Sequence, residues 1–159
     1  MSTPDTALFR RLLAAVDTSP RASAVLAAAR EVATRFGARL HVYQAGHVPP
    51  DIPAAAPRVE DATEAGLQRR ATEQLAALVG SASGAVIEPI EFDVGPPWRA
   101  ILDAAERVDA DLIVVGSHGF AGIDRLIGTT AAKVVNHSSR SVLVVRERPS
   151  PAPPKRRVG

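Results

Sequence analysis

The chain has 159 residues, a length that suits one domain with a substantial core. Hydrophobic residues make up 46% of the chain but aromatic residues only 4%, so the core must be built from Ala, Val, Leu and Ile. It contains no cysteine, so disulfides, thiolate metal sites and cysteine nucleophiles are excluded. The net charge is +2, but without the basic cluster Lys155, Arg156 and Arg157 the chain has 16 basic against 17 acidic residues, which does not indicate a nucleic-acid-binding face.

The N-terminal residues show no secretory signal, and no apolar run approaches the roughly 18 residues needed to span a bilayer, so a cytoplasmic location is expected.

The first part of the chain predicts a strand, a helix and a second strand. The apolar run Arg11–Val16 predicts a buried strand. Ser19 and Pro20 predict the start of a helix that ends at Gly37. Residues 40–45 predict the second strand.

The rest of the chain repeats this alternation. Leucines and alanines at helical spacing predict a helix over residues 60–79, and apolar residues alternating with acidic ones predict an edge strand over residues 90–94. A third helix follows Gly95, and residues 112–115 predict a fourth strand. A fourth helix from Thr129 to about His137 and a fifth strand over residues 142–145 complete a β-α-β-α-β-α-β-α-β order. This order predicts an open, doubly wound parallel sheet.

Residues 111–145, DLIVVGSHGFAGIDRLIGTTAAKVVNHSSRSVLVV, carry the strongest functional signal. A buried strand is followed by a glycine-punctuated loop, a helix that begins at Gly128-Thr129-Thr130, and another buried strand. Glycine lets the backbone approach an anion closely, and a helix N-terminus offers unpaired N–H groups with a partial positive charge. The segment therefore predicts a phosphate-binding βαβ unit. A plain strand-to-loop turn and an ordinary helix cap remain the alternatives.

Familiar catalytic motifs are absent from the sequence. Neither GxxxxGK[ST] nor GxSxG occurs, which excludes a Walker P-loop and a nucleophile elbow. The loop contains no lysine and no placed general base, so any ATP turnover should be slow. His41, His47 and His137 lack ligand spacing, and we expect no metal site built by the protein alone.

Three segments resemble the universal stress protein family: LLAAVDTSPRASAVLAAAREVATRFGARLHV, DVGPPWRAILDAAERVDADLIVVGSHG and GSHGFAGIDRLIGTTAAKVVNHSSRSVLVVR. The resemblance covers residues 9–148. It implies an α/β fold of the Rossmann-like, adenine nucleotide alpha-hydrolase-like type, with five parallel strands in the order 3-2-1-4-5. We expect a single domain over residues 1–148, followed by a disordered, Pro-rich and basic tail over residues 149–159.

The resemblance also implies a site for ATP, ADP or AMP, with Mg²⁺, at the carboxyl ends of the strands. Asp17 would accept hydrogen bonds at the adenine end, and Thr129 would contact phosphate. The other candidates are wall residues and glycine-loop residues: Ala15, Val16, Ala45, Val115, Gly116, Ser117, His118, Gly119, Gly128 and Thr130. The chain departs from the usual ATP-binding pattern in having eight residues, not nine, between Gly119 and Gly128, which puts the γ-phosphate contacts in doubt.

The last strand, Val142, Leu143, Val144 and Val145, would lie at the edge of the sheet, where an apolar strand invites pairing. The resemblance implies a homodimer through this strand, and an edge covered by residues 146–149 is the alternative.

The sequence and the resemblance leave two main hypotheses for the function: an ATP-binding, homodimeric sensor or regulator of the stress response, or a nucleotide-free dimer that acts as an interaction scaffold. A third possibility is a slow ATPase or autophosphorylating protein using Thr129, Thr130 or Ser117.

Overall fold

The structure is a computed structural model that describes residues 8–17, 19–44, 64–80, 85–87, 96–117 and 129–146. Strands and helices alternate along these ranges: β1 (Arg11–Val16), α1 (Ala22–Phe36), β2 (Arg39–Gln44), α2 (Glu64–Val79), β3 (Ala85–Ile87), α3 (Pro97–Arg107), β4 (Leu112–Gly116), α4 (Thr129–His137) and β5 (Ser141–Val145). The strands pair in parallel in the order β3-β2-β1-β4-β5. The predicted α/β class with a parallel sheet is confirmed.

Helices cover the sheet on both faces, which explains why its strands read as nearly continuous apolar runs. Leu12 and Ala14 of β1 pack in a core layer with α1 and α2, whereas Leu13 and Ala15 pack in the opposite layer with α3 and α4. The chain therefore leaves the neighbouring strands β1 and β4 toward opposite faces. This arrangement opens a crevice at the carboxyl ends of the two strands, where ligands of open α/β sheets usually bind.

The core is built from aliphatic side chains, as the composition predicts. Leu12, Leu13 and Ile113 are fully buried in the sheet, and α3 contributes Ala104 without exposed surface. Tyr43 on β2 is the exception, because it has the largest of the fully buried side chains in the described ranges. Small alanines on the helices leave room for this ring within an otherwise aliphatic layer.

The start of α1 differs from the prediction. Its N-cap residue is Arg21, in helical conformation and without a side-chain cap, so the predicted cap at Ser19 is wrong. The Ser19 carbonyl accepts a hydrogen bond from the Ala22 amide at 3.1 Å, and its hydroxyl accepts one from the Arg21 amide at 3.3 Å. These bonds close a turn before the helix, and the helix begins one residue after Arg21.

The end of α1 matches the prediction. Gly37 adopts a left-handed conformation with φ of 62°. The Ala38 amide donates to the Ala33 carbonyl at 2.8 Å, and the Gly37 amide donates to the Thr34 carbonyl at 3.3 Å. This pair of bonds is a Schellman motif, which satisfies the last carbonyls of the helix and favours glycine at its left-handed position.

The other helices and strands begin and end within a few residues of their predicted positions, apart from the third strand. β3 spans Ala85–Ile87 and pairs with β2, whereas the predicted edge strand over residues 90–94 lies outside the described residues. The structure describes the second helix from Glu64, and residues 60–63 of the prediction also lie outside. Among the helices in the described ranges, none has both the length and the apolarity to cross a membrane.

Polar groups join the amino ends of the strands. The Asp111 carboxylate accepts hydrogen bonds from the backbone amides of Arg10 at 2.7 Å and Arg11 at 2.8 Å. Asp109 forms ion pairs with the guanidinium groups of Arg11 and Arg140. We call these five residues the amino-edge cluster. It ties the start of β1 to the start of β4 and to the residue before β5.

The charge of Asp111 is stabilised within this cluster. Burial alone raises the pKa of the Asp111 carboxyl group. The amides of Arg10 and Arg11 donate to the charged form, the two arginines add positive charge, and together they bring the pKa below its ordinary value of 3.8. The folded protein therefore holds this carboxylate in its ionised form.

Candidate functional site

The carboxyl edge of the sheet brings two of the predicted site segments side by side. β1 and β4 are adjacent strands, and Ala15 pairs with Val115 in register. Asp17 and Ser117, which follow these paired residues by two positions, therefore leave the sheet next to each other. Both are partly buried. The switch-point crevice lies where these two residues emerge.

Asp17 is held in place by its own loop. Its Oδ1 accepts hydrogen bonds from the Ser19 amide at 3.0 Å and from the Ser19 hydroxyl at 2.6 Å. A carboxylate bonded to the backbone two residues later is a common local turn of Asp and Asn residues. The turn orients the carboxylate at the end of β1. Ser19 is thus a supporting residue that the sequence reasoning missed, although the Asp-x-Ser spacing was a usable signal.

The Ser117 backbone does not serve the role that the glycine motif predicts. Gly116 pairs with Val145 in the sheet, and the Ser117 amide donates to the Val145 carbonyl at 2.9 Å. The sheet therefore uses this N–H group, and the expectation of a phosphate-binding backbone amide is wrong for Ser117. Its hydroxyl stays a candidate donor at the carboxyl edge.

The predicted wall residues divide between the two faces of the sheet. Ala15 and Val115 pack in the layer with α3 and α4, and Val16 packs in the layer with α1 and α2. Gln44, which the sequence reasoning missed, pairs with Val16 at the end of β2 and is 6% exposed. A glutamine that closes an apolar strand was the available signal. It places a buried amide at the same edge of the sheet.

The N-terminus of α4 points to this edge as well. β5 runs parallel to β4, and α4 precedes β5, so the start of the helix lies toward the carboxyl ends of the strands. Thr130 is half-buried in the first turn. The first N–H groups of a helix have no partner within it and carry partial positive charge. Ala45, His118, Gly119 and Gly128 lie outside the described residues, as does the side chain of Thr129.

Comparison with known proteins gives the family of the chain. The sequence model described as the Universal stress protein family matches residues 8–146. The chain belongs to the universal stress protein family.

Relatives in this family match almost the whole chain. A universal stress protein of Thermus aquaticus is 35% identical over 140 residues, which cover 87% of this chain and 100% of that protein. Universal stress protein A homolog 1 of Coxiella burnetii is 31% identical over 145 residues, covering 86% and 96%. A universal stress protein solved in complex with cAMP has 27% identity and a TM-score of 0.56, with 87% of this chain and 97% of that one covered.

The acceptor and donor groups of this universal stress protein fit a ligand with a polar end and an anionic end. Asp17 offers a carboxylate oxygen for a donor group, and the first turn of α4 offers N–H groups for an anion. No cluster of three or more His, Asp or Glu residues suited to a metal ion occurs within the described ranges.

Proposed function

We propose that this universal stress protein binds an adenine nucleotide, ATP with Mg²⁺ among them, in the crevice between β1 and β4. The observation that carries the proposal is the convergence of the Asp17 carboxylate and the N-terminus of α4 on one edge of the sheet. The cAMP complex of a 27% identical family member supports an adenine nucleotide as the ligand class.

The charges at the two ends of the crevice set the orientation of the ligand. The Asp17 carboxylate repels phosphate but accepts hydrogen bonds from an adenine amine or a ribose hydroxyl. The α4 N-terminus attracts phosphate. Adenosine therefore lies against β1, and the phosphates lie against α4. Because the loop between Gly119 and Gly128 is one residue short of the usual pattern, we expect the γ-phosphate to add less affinity than the other phosphates.

The role we propose is that of a sensor or regulator of the stress response with little or no turnover. The glycine loop contains no lysine, and the sequence identifies no general base positioned for catalysis, whereas efficient phosphoryl transfer depends on such groups. Nucleotide state would instead change the conformation around the crevice. Binding energy is then available to shift a population of conformers, by as much as the ligand's difference in affinity between them.

Two measurements on the unmodified chain test nucleotide binding. The purified protein is denatured and the supernatant is chromatographed for adenine nucleotides. Thermal unfolding is then followed with ATP, ADP, AMP and cAMP, each with and without Mg²⁺. A ligand at about 1,000 times its Kd stabilises the folded state by roughly 4 kcal/mol, which is a clear rise in Tm. Absence of bound nucleotide together with an unchanged Tm for all four ligands would contradict the proposal.

We also propose a homodimer that pairs the β5 strands. Leu143 on this edge strand is 36% exposed, so its apolar side chain is accessible to a second copy of the strand. Leu143→Lys should shift the molar mass from that of a dimer to that of a monomer in light scattering, because a charge on an edge strand blocks pairing. Glu73→Lys, on the exposed surface of α2, is the matched control. Equal masses for the Leu143 variant and the unmodified chain would reject the β5 interface.

A nucleotide-free scaffold is the second candidate function. The bond between the Ser117 amide and the Val145 carbonyl favours it, because one donor of the predicted phosphate cradle is already used. This scaffold would give the dimer mass without any Tm response to nucleotide. The two functions are therefore separated by the same pair of experiments.

A further inference from the structure

A cleft of about 360 Å³ lies on the α3 and α4 side of the sheet. It runs between α3 and the turn that joins α4 to β5. We call it the Trp98 cleft. The residues that form its principal walls are Trp98, Leu102, Asp103, Glu106, His137 and Arg140. None of these residues belongs to the proposed nucleotide site.

An aromatic wall forms one side of the Trp98 cleft. The rings of Trp98 and His137 stack with centroids 4.7 Å apart and planes inclined by 25°. The Arg99 guanidinium carbon lies 5.4 Å from the Trp98 ring centroid, within cation–π range. Trp98 and Leu102 are only partly buried. The Trp98 ring thus packs against His137 and Arg99, and part of the Trp98 and Leu102 side chains remains exposed at the cleft.

Unpartnered negative charge lines the mouth of the cleft. Asp103 and Glu106 are exposed on α3, and within the described part of the chain neither side-chain carboxylate forms a hydrogen bond or an ion pair. The basic groups nearby are already engaged. Arg140 donates to the Asp109 carboxylate at 3.3 Å and to the Ala110 carbonyl, and Arg99 lies over Trp98. An occupant with positive charge would complement the two carboxylates.

We propose that the Trp98 cleft binds the basic, Pro-rich segment of this chain itself, residues 149–159. This segment, SPAPPKRRVG after Pro149, combines closely spaced prolines with Lys155, Arg156 and Arg157. Proline-rich segments favour the polyproline II conformation, which docks on aromatic-lined grooves with little loss of entropy. The prolines match the Trp98 wall, and the basic side chains match Asp103 and Glu106.

The length of the segment allows the contact. Ser138 and Arg140 line the cleft just before β5 begins at Ser141, whereas residues 149–159 follow the other end of the strand. Five residues of strand span about 16 Å at 3.3 Å per residue. A polyproline II segment of about five or six residues covers the same distance at 3.1 Å per residue. A chain that turns back after Arg146 therefore reaches the cleft before Lys155.

Trp98 is the only tryptophan of the chain, so its fluorescence reports on the cleft directly. Acrylamide quenching is measured on the full-length protein at low ionic strength. Lys155→Ser with Arg156→Ser and Arg157→Ser should raise the quenching constant about twofold, and Asp103→Asn with Glu106→Gln should do the same. In the unmodified chain, quenching should rise toward these values near 1 M salt, where the Debye length is about 3 Å. Combining the two sets of changes should add nothing further.

The control removes equal charge elsewhere. Glu31→Gln with Glu73→Gln neutralises exposed carboxylates of α1 and α2 and should leave quenching unchanged. Circular dichroism checks that each variant is folded, and the salt titration of the unmodified chain needs no substitution. The proposal fails if the triple tail variant leaves quenching at the original value, or if quenching depends on protein concentration, since that would assign the occupant to a second copy. A response to the Asp103 and Glu106 changes alone would indicate a different cationic ligand and would also overturn it.

Discussion

The two ends of the sheet use carboxylates in different ways. At the amino edge, the carboxylates of Asp111 and Asp109 bond to groups about 100 residues earlier, on and before β1. At the carboxyl edge, Asp17 bonds to Ser19, two residues away in its own loop. The first pattern holds separate elements of the fold together. The second orients one carboxylate within the loop that follows β1.

This difference suggests a division between stability and binding. Bonds that join distant segments are lost when the chain unfolds, so they contribute to the free energy of unfolding. A carboxylate has about four lone-pair sites, so Asp17 can accept hydrogen bonds from a ligand as well as from its own loop. We therefore expect substitutions at the amino edge to change the Tm without changing the ligand response. Substitutions at Asp17 should do the reverse.

The largest expected effect comes from Asp17→Ala. At about 1,000 times Kd, a nucleotide stabilises the unmodified protein by roughly 4 kcal/mol, and the variant should lose nearly all of this increment. The Tm rise on addition of Mg-ATP is the measurement. Ser19→Ala is the matched control, because it removes the hydroxyl that contacts Asp17 while the carboxylate stays.

The pair of variants separates a ligand contact from a turn. If Asp17 binds nucleotide directly, Ser19→Ala should keep most of the Tm rise and Asp17→Ala should not. If both variants lose it equally, the turn rather than the carboxylate governs binding. If both retain it, Asp17 has no part in the site.

A smaller effect is expected from Asp111→Asn. The amides of Arg10 and Arg11 donate to the same carboxylate oxygen, and the asparagine carbonyl oxygen can take its place, so the variant loses the charge and keeps the acceptor. Hydrogen bonds to charged groups contribute about 1.5–3 kcal/mol and neutral ones about 0.5–1.5 kcal/mol, so the loss in unfolding free energy at pH 7 should be about 1–2 kcal/mol. Because the folded pKa of Asp111 lies below its ordinary value of 3.8, its stabilisation is fully present above that pH. It is lost as the pH falls through the folded pKa.

Urea unfolding at several pH values tests this dependence. The difference in unfolding free energy between the Asp111→Asn variant and the unmodified chain should be constant near neutral pH and should shrink below pH 3.8. Glu73→Gln, which neutralises an exposed carboxylate on α2, should change the unfolding free energy by no more than about 0.5 kcal/mol at every pH. A difference for Asp111→Asn that persists undiminished at low pH would show that the ionised form is not what stabilises the fold.

Much of this architecture follows from local pattern. The strands around Leu12, Val42 and Val114 are buried on both faces, so apolar runs identify them without tertiary information. Gly37 marks the end of α1 because few other residues tolerate its left-handed conformation. The start of α1 was less predictable, since Ser19 had two competing uses, as a helix cap and as the partner of Asp17.

The site was harder to predict than the fold. The glycine motif indicates which edge of the sheet is involved, but whether a given amide is free depends on its neighbour in space. The Ser117 amide is used by Val145, a strand pairing that spacing along the chain does not reveal. The bonds of Asp111 likewise depend on a partner 100 residues away. Sequence pattern alone therefore predicts the helices and strands better than it predicts which of their donors and acceptors stay available to a ligand.

The smallest effect concerns Asp109, which stands where glycine would be expected. α3 ends as α1 does: the Ala110 amide donates to the Ala105 carbonyl at 2.8 Å, and the Asp109 amide donates to the Glu106 carbonyl at 3.0 Å. Asp109 has φ of 50°, the left-handed position that Gly37 occupies after α1. A non-glycine residue is strained there by roughly 1 kcal/mol. Its ion pairs with Arg11 and Arg140 offset that strain.

Substitutions of Asp109 separate the contribution of the backbone strain from that of the ion pairs. Exposed ion pairs contribute about 0.2–1 kcal/mol each, so Asp109→Gly, which loses the pairs but relieves the strain, should change the unfolding free energy by less than about 0.5 kcal/mol. Asp109→Ala loses the pairs and keeps the strain, and it should cost about 1 kcal/mol. Urea unfolding at low and high salt measures both. If alanine proved as stable as glycine, the left-handed backbone would carry no penalty, and the contrast between Asp109 and Gly37 would rest on charge alone.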